Sequence, residues 1–263
     1  MDISIIIINY KTPEILNLCI RSLKATVANI DYEIIAVDIE SDYKTEYLIR
    51  ESFPGAVFIP TRENAGYSKA VNLAIRNSDP RSKYLFVLNA DIIAKEQAVN
   101  KLFGFMERNQ DVGISGPQLL NFDNSVQDSC FKFYTPKIIL YRRTFFRNFS
   151  FSKKLLDDFL MKNRDHNLTQ PVEWLMGSAL FVRRSALEKA GMMDERFFMY
   201  FEDVDWCRRF WKSGRRVIYF PEAKMAHYHG KQSTESKKYA LIHIISAIKY
   251  FIKYFGKPLP KIH

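Results

Sequence analysis

Residues 3–8 read Ile-Ser-Ile-Ile-Ile-Ile, and a nearly unbroken β-branched run of this length suits a strand covered on both faces in a parallel sheet. Asn9 and Tyr10 end it. Thr12-Pro13-Glu14 then supplies an N-cap, a first-turn proline and an early acid, and Ile15, Leu16, Cys19, Ile20 and Leu23 recur at helical spacing. The pattern repeats. Residues 33–37 predict a second strand ending at Asp38, 56–59 a third, 68–77 a helix with Ala70, Val71, Ala74 and Ile75 on its apolar side, and 84–88 a fourth strand ending at Asn89-Ala90-Asp91. Beyond about residue 113 the alternation weakens into shorter strands, 180–182 and 216–220. Between them lies a helix with Val204, Cys207, Phe210 and Trp211 on one face and Gly214 at its stop. Alternating strands and helices predict an α/β fold built on a doubly wound mixed sheet flanked by helices, with ligands outside the carboxyl ends of the strands. Asp38 and Asp91 both fall at such ends.

No internal repeat or low-complexity linker interrupts the chain. The simplest organisation is a single compact domain over 1–235, with halves 1–112 and 113–235, followed by an amphipathic C-terminal segment, 236–263. At 263 residues and 47% hydrophobic, the chain can bury a sizeable core, which excludes disorder. A formal charge of +10 asks for an anionic partner. That charge is concentrated: Lys132, Lys137, Arg142, Arg143, Arg147, Lys153 and Lys154 fall in 129–156 and six lysines fall in 236–263, with no acid in either stretch. The remainder carries more acid than base, so a uniformly basic nucleic-acid binder is disfavoured. Cys19, Cys130 and Cys207 are odd in number and widely spaced, as expected of reduced core residues in a cytosolic protein. The first apolar run is too short for a signal peptide and lacks a basic flank, and no apolar stretch is long enough to span a membrane.

Four segments carry candidate chemistry. Asp91, at the end of a buried strand, is placed to hold a divalent cation that bridges phosphates, although an aspartate there also suits a turn that caps the next element. Glu202 and Asp203 follow the aromatic run 197–201. Acids in a helix's first turn complement its dipole without any further function, yet two adjacent carboxylates behind aromatics also make a general base. His227-Tyr228-His229 puts two imidazoles on one face of an extended segment, a weak metal signal. Arg62 to Ser68 is a loop with one glycine opening a helix, whose free N–H groups favour phosphate, though one glycine falls far short of a dinucleotide fingerprint.

Taken in order, these segments resemble family 2 glycosyltransferases with the GT-A fold, and most closely their bacterial rhamnosyltransferase-like branch. The matching pieces are Ile6 to Tyr10, Ala36-Val37-Asp38, Glu63 to Tyr67 with Asn72, Leu88 to Asp91, Trp174 to Ala179, Val182-Arg183-Arg184, Asp194 to Asp205, and Pro221 to His227. The resemblance implies that Asn9, Tyr10, Asp38, Asn64, Gly66, Asn89 and Asp91 receive a nucleotide sugar, with Asp38 at the pyrimidine. It implies that Asp91, with Asn89 in the first place of an Asp-x-Asp-type motif, binds Mg2+ or Mn2+ with help from His227. Asp203 is similar to the family's catalytic base, with Glu202 as runner-up, and Trp174 and Gly177 border the sugar and acceptor. Two departures stand out: Ile39 replaces the family's usual asparagine, with Glu40 preceding Ser41, and Ala90 replaces its proline. The implied reaction is inverting transfer of a sugar, rhamnose from dTDP-rhamnose or a hexose from a UDP-sugar, to a lipid-linked or surface-polysaccharide acceptor.

Large apolar residues are interleaved with the lysines and arginines of both basic segments. Ordinary packing beneath a solvated face produces that pattern, and so does a peripheral anchor on an anionic membrane. The expectation is a cytoplasmic enzyme on the inner face of a bacterial membrane. Its rivals are a catalytically silent nucleotide-binding membrane adaptor and, last, a single-strand nucleic-acid binder.

Overall fold

Ile3, Ile5 and Ile7 pack into one hydrophobic core and Ile6 and Ile8 into another, which is why the opening run contains almost no polar residue: its strand is covered on both sides. The computed structural model describes residues 1–228 and 237–262. In chain order the elements are β1 (Ile3–Tyr10), α1 (Pro13–Thr26), β2 (Tyr32–Ile39), α2 (Tyr43–Ser52), β3 (Val57–Thr61), α3 (Tyr67–Asn77), β4 (Tyr84–Asn89), β5 (Ile92–Ala94), α4 (Ala98–Arg108), β6 (Val112–Leu120), β7 (Cys130–Phe131), α5 (Pro136–Arg143), α6 (Ser150–Phe159), β8 (Gln170–Pro171), β9 (Trp174–Leu175), β10 (Ala179–Arg183), α7 (Leu187–Ala190), α8 (Glu202–Lys212), β11 (Arg216–His227) and α9 (Lys237–Lys253).

The main sheet runs β3-β2-β1-β4-β10-β6-β11-β5, with β8 on β11. Strands β3, β2, β1 and β4 are parallel to one another; β10 enters antiparallel between β4 and β6. The expected mixed α/β sheet is therefore present, and the late insertion of β10 makes it continuous across residue 112. Helices α1, α2 and α4 cover one face and α3, α8 and α9 the other. Among the described residues no helix is long and apolar enough to cross a membrane. All three cysteines are buried and free.

Two local details differ from the sequence expectation. Thr12 occupies the N-cap of α1 but makes no capping bond; its hydroxyl donates instead to Asn9 Oδ1 across 2.7 Å, tying the helix start to the end of β1. Helix α2, which the apolar pattern did not predict, buries only Thr45 and Ile49 and is started by Asp42, whose side chain accepts from Thr45 N.

The C-terminal helix is part of the domain. It buries Ser246, Ala247 and Tyr250, and Lys253 pairs with Asp205 and, at 2.6 Å, with Asp194. Asp205 also accepts from Tyr254 Oη at 2.8 Å and from Arg209 Nε at 2.8 Å. Arg208 turns away from Asp205 to the carbonyls of Lys257 and Pro258. One of the six C-terminal lysines is thus committed to a buried network rather than to the surface.

Candidate active site

The carboxyl ends of the central strands and the first turn of α8 enclose a cavity of about 500 Å3. Into it project Asn9 and Tyr10 from β1, Asn64 from the loop before α3, Asn89 from β4, Asp91 from the turn after it, Trp174 from β9, Gly177, Glu202 and Asp203 from α8, and His227 from β11. The link between the two sides is the short loop before β10. Ser178 O accepts from Asn89 N at 3.0 Å, and Gly177 N donates to Asp203 Oδ2 at 2.9 Å. Carboxylates that the chain separates widely therefore meet around one space.

Asp203 also accepts from Val204 N through Oδ1 at 2.8 Å. Both amides favour its charged form, but burial outweighs them and pushes its pKa up to about 6. Glu202 is 5% exposed, and its Oε2 is buried with no hydrogen-bond partner. Burial, followed by the charge of Asp203, raises its carboxyl well above the usual range. Burial thus raises both carboxyls of the pair. Tyr67 donates to Gly177 O at 2.9 Å. Its phenol is held well above its ordinary pKa by burial and then by Glu202, Asp203 and Asp91, so it lies within the field of all three carboxylates. Directly before Glu202, Tyr200 and Phe201 both have φ of 68°, backbone strain of the kind that collects at functional sites.

On the other side, His227 Nε2 lies 3.5 Å from Asp91 Oδ1. The side-chain amide of Gln127 donates to the carbonyls of Asn121 and His227, so its Oε1 is the acceptor facing His227 Nδ1 at 2.8 Å. That contact gives an Nδ1 proton its acceptor and leaves Nε2 as the ring nitrogen facing Asp91. Asp91 Oδ1 is buried without a hydrogen-bond partner, an arrangement that a divalent cation would satisfy. Among the described residues no cluster of three or more His, Cys, Asp or Glu side chains is poised to cage a metal. Asp91 and His227 could together hold a cation only if its other ligands came from substrate and water. His229, the second imidazole of the sequence motif, lies outside the described residues.

Asp38 and Gly66 stand outside the lining. Asp38 is 1% exposed and accepts from Asn9 Nδ2 at 2.7 Å and from Ser41 Oγ at 2.5 Å; it acts on the cavity by fixing the Asn9 amide. Gly66, with φ of 97°, caps α3. A Cβ there would come within 2.5 Å of the Phe198 carbonyl oxygen, so glycine is what lets the loop before α3 close against the segment leading to Glu202. Sequence reasoning missed Gln127, Tyr134, Arg142, Tyr200 and His243 as cavity or supporting residues. Arg142 and Tyr200 lay in segments already singled out, whereas Gln127 and His243 carried no local signal.

The mixed sheet flanked by helices is the fold of the GT-A glycosyltransferases. The crystal structure of GalNAc-T7 with UDP, GalNAc and Mn2+ superposes with a TM-score of 0.63 over 86% of this chain and 44% of that chain, at 13% identity, a likeness of fold alone. Residues 4–191 match the model of glycosyl transferase family 2, and the chain belongs to that family. It is 28% identical over 204 residues to the N-acetylglucosaminyl-diphospho-decaprenol L-rhamnosyltransferase of Mycobacterium tuberculosis, covering 74% of this chain. It is 29% identical over 211 residues to the low-salt glycan biosynthesis hexosyltransferase Agl10 of Haloferax volcanii, covering 79% of this chain. The matched region spans 66% and 61% of those relatives' lengths.

Proposed function

We propose that this protein is an inverting, metal-dependent glycosyltransferase that moves rhamnose from dTDP-rhamnose onto a lipid-linked or surface-polysaccharide acceptor. The observation that carries the reading is the shared cavity of Asp203, a carboxylate with its pKa near 6, and the Asp91–His227 pair. Asn9, Tyr10 and Asn64 receive the nucleoside, with Asp38 setting the Asn9 amide. Asp91 and His227 hold Mg2+ or Mn2+, which when bound neutralises the leaving nucleoside diphosphate. Asp203 takes the proton of the acceptor hydroxyl as that oxygen bonds to the anomeric carbon and the bond to the diphosphate oxygen breaks. The likeness to a hexosyltransferase favours a UDP-hexose as the second candidate donor.

The experiment is thermal stabilisation by a panel of nucleoside diphosphates and nucleotide sugars with and without Mn2+, followed by donor hydrolysis. Stabilisation by dTDP-rhamnose that requires Mn2+ supports the reading. Absence of any nucleotide effect overturns it, and binding without turnover identifies a silent adaptor.

The acceptor side faces a membrane in this reading, on the cytoplasmic leaflet. Along α9 and its extension Leu241, Ile245, Ile248, Ile252 and Phe255 are exposed, as are Leu140, Phe145, Phe149 and Phe151 in the first basic stretch. Exposed lysines accompany both, including Lys137, Lys153, Lys154, Lys237, Lys238 and Lys249. Large apolar groups with lysines suit an anionic interface, each cation adding about 1 kcal/mol near the surface. Sedimentation with anionic liposomes at low salt checks this; a protein that stays in the supernatant refutes it.

A further inference from the structure

The cavity has a wall that the nucleotide side does not use. Phe131 of β7, Trp174 of β9, Tyr134 from the turn before α5 and Arg142 of α5 line it, and these segments carry none of Asn89, Asp91 or His227. Among the described lining residues Arg142 is the one lysine or arginine. Its Nη1 donates to Tyr134 Oη at 2.6 Å, and its guanidinium lies 5.8 and 5.2 Å from the centroids of Tyr134 and Phe159. Tyr134 is itself packed by Phe159, Trp174 and Phe201. The contact engages one of five N–H donors and fixes the plane of the fork, while the side chain as a whole stays exposed.

Charge explains why such a group matters here. Asp91 and Asp203 bring negative charge to the cavity, so a second phosphate group entering beside the donor's diphosphate needs its own cation. A planar guanidinium matches phosphate oxygens bidentately. On either side of Arg142 along the chain the large apolar residues Leu140, Phe145, Phe149 and Phe151 are exposed, so an anion-binding head adjoins a surface for an apolar tail.

We propose that Arg142, held by Tyr134, is the subsite for the diphosphate of a polyprenyl-diphosphate-linked acceptor, with Leu140, Phe145, Phe149 and Phe151 receiving the first isoprenoid units. The inference rests on the lipid-linked acceptor reading above and deepens it by assigning residues to the acceptor's charged linkage.

The test uses the full chain in EDTA, which disables cation-dependent binding of diphosphates at Asp91. Farnesyl diphosphate, farnesyl monophosphate, farnesol and inorganic pyrophosphate serve as probes, read by tryptophan fluorescence because Trp174 lines this wall. The wild type binds farnesyl diphosphate at least about ten-fold more tightly than farnesol, as expected for hydrogen bonds to a charged group, and more tightly than pyrophosphate. Arg142→Met brings farnesyl diphosphate and farnesol to within about two-fold of each other, and Arg142→Lys keeps part of the preference. Melting curves accompany each variant; should Arg142→Met fail to fold, Arg142→Lys and Tyr134→Phe carry the comparison through a reduced preference. Full preference in the folded variants, or none in the wild type, overturns the proposal. Pyrophosphate binding as tightly as farnesyl diphosphate overturns the apolar part. Stabilisation by nucleotide sugar with Mn2+ is read separately on the wild type, so a failure there removes the transferase reading without touching the Arg142 result.

Discussion

The amide of Gly177 donates to Oδ2 of Asp203 across 2.9 Å, so the residue that begins the approach to β10 also orients the carboxylate in the first turn of α8. A Cβ on Gly177 would stand 3.3 Å from Asp203 Cβ; the absence of a side chain allows the contact. The other oxygen of Asp203 is held by Val204 N, and among the described residues no cation pairs with the carboxylate to depress its basicity.

Replacing that carboxylate is the most direct test of its role. Asp203→Asn preserves shape and is expected to lower kcat by about 10²–10⁴-fold while nucleotide-sugar binding persists. Turnover within a few-fold of wild type, measured in steady-state assays, removes Asp203 from the role of base.

The pH profile follows from the raised pKa. Asp203 works only when ionised, so kcat/KM rises with pH through a limb near 6 and is lost below it. Stability runs the opposite way. In the unfolded chain an aspartate titrates near about 3.9, so the folded state favours the proton, and the stability this contributes is present below about pH 4 and lost as pH rises through about 6. Asp203→Asn is therefore expected to melt at a higher temperature than wild type at pH 7, and an unchanged or lower Tm there counts against a burial-raised carboxyl.

Gln127 tests the metal side from a distance. It contacts His227 at both Nδ1 and the carbonyl, and supports of this kind are worth about 10–100-fold in metal affinity. Gln127→Ala is expected to raise the Mn2+ concentration needed for half-maximal donor stabilisation by that factor, with a smaller effect on kcat at saturating Mn2+. Asp91→Asn should abolish the Mn2+ requirement together with the stabilisation.

The buried network between α8 and α9 governs the fold at the cavity's edge. Asp205 is fully buried and meets Lys253, Arg209 and Tyr254. Removing one member of a buried ionic cluster typically costs about 3–5 kcal/mol, and Asp205→Ala is expected to show that loss in urea denaturation. Because Tyr239 and His243 of α9 line the cavity, the same variant should weaken activity beyond its effect on stability.

Much of this molecule was written locally. The isoleucine run, the period of α1 and α3, and the strand ends at Asp38 and Asp91 are short-range patterns, because a strand buried on both faces and an amphipathic helix each declare themselves within a dozen residues. Glu202 and Asp203 could likewise be picked out beside their aromatic run. Tertiary structure alone decided that Asp91 and Asp203 share a cavity, since that depends on β10 crossing antiparallel between β4 and β6. It decided that Asp38 holds the Asn9 amide rather than lining the cavity, that burial raises both Glu202 and Asp203, that Lys253 is half-buried against Asp205, and that Arg142 enters the cavity wall. Each of these follows from burial and hydrogen bonding between residues far apart in the chain, and local pattern carries no record of which distant groups will exclude water from one another.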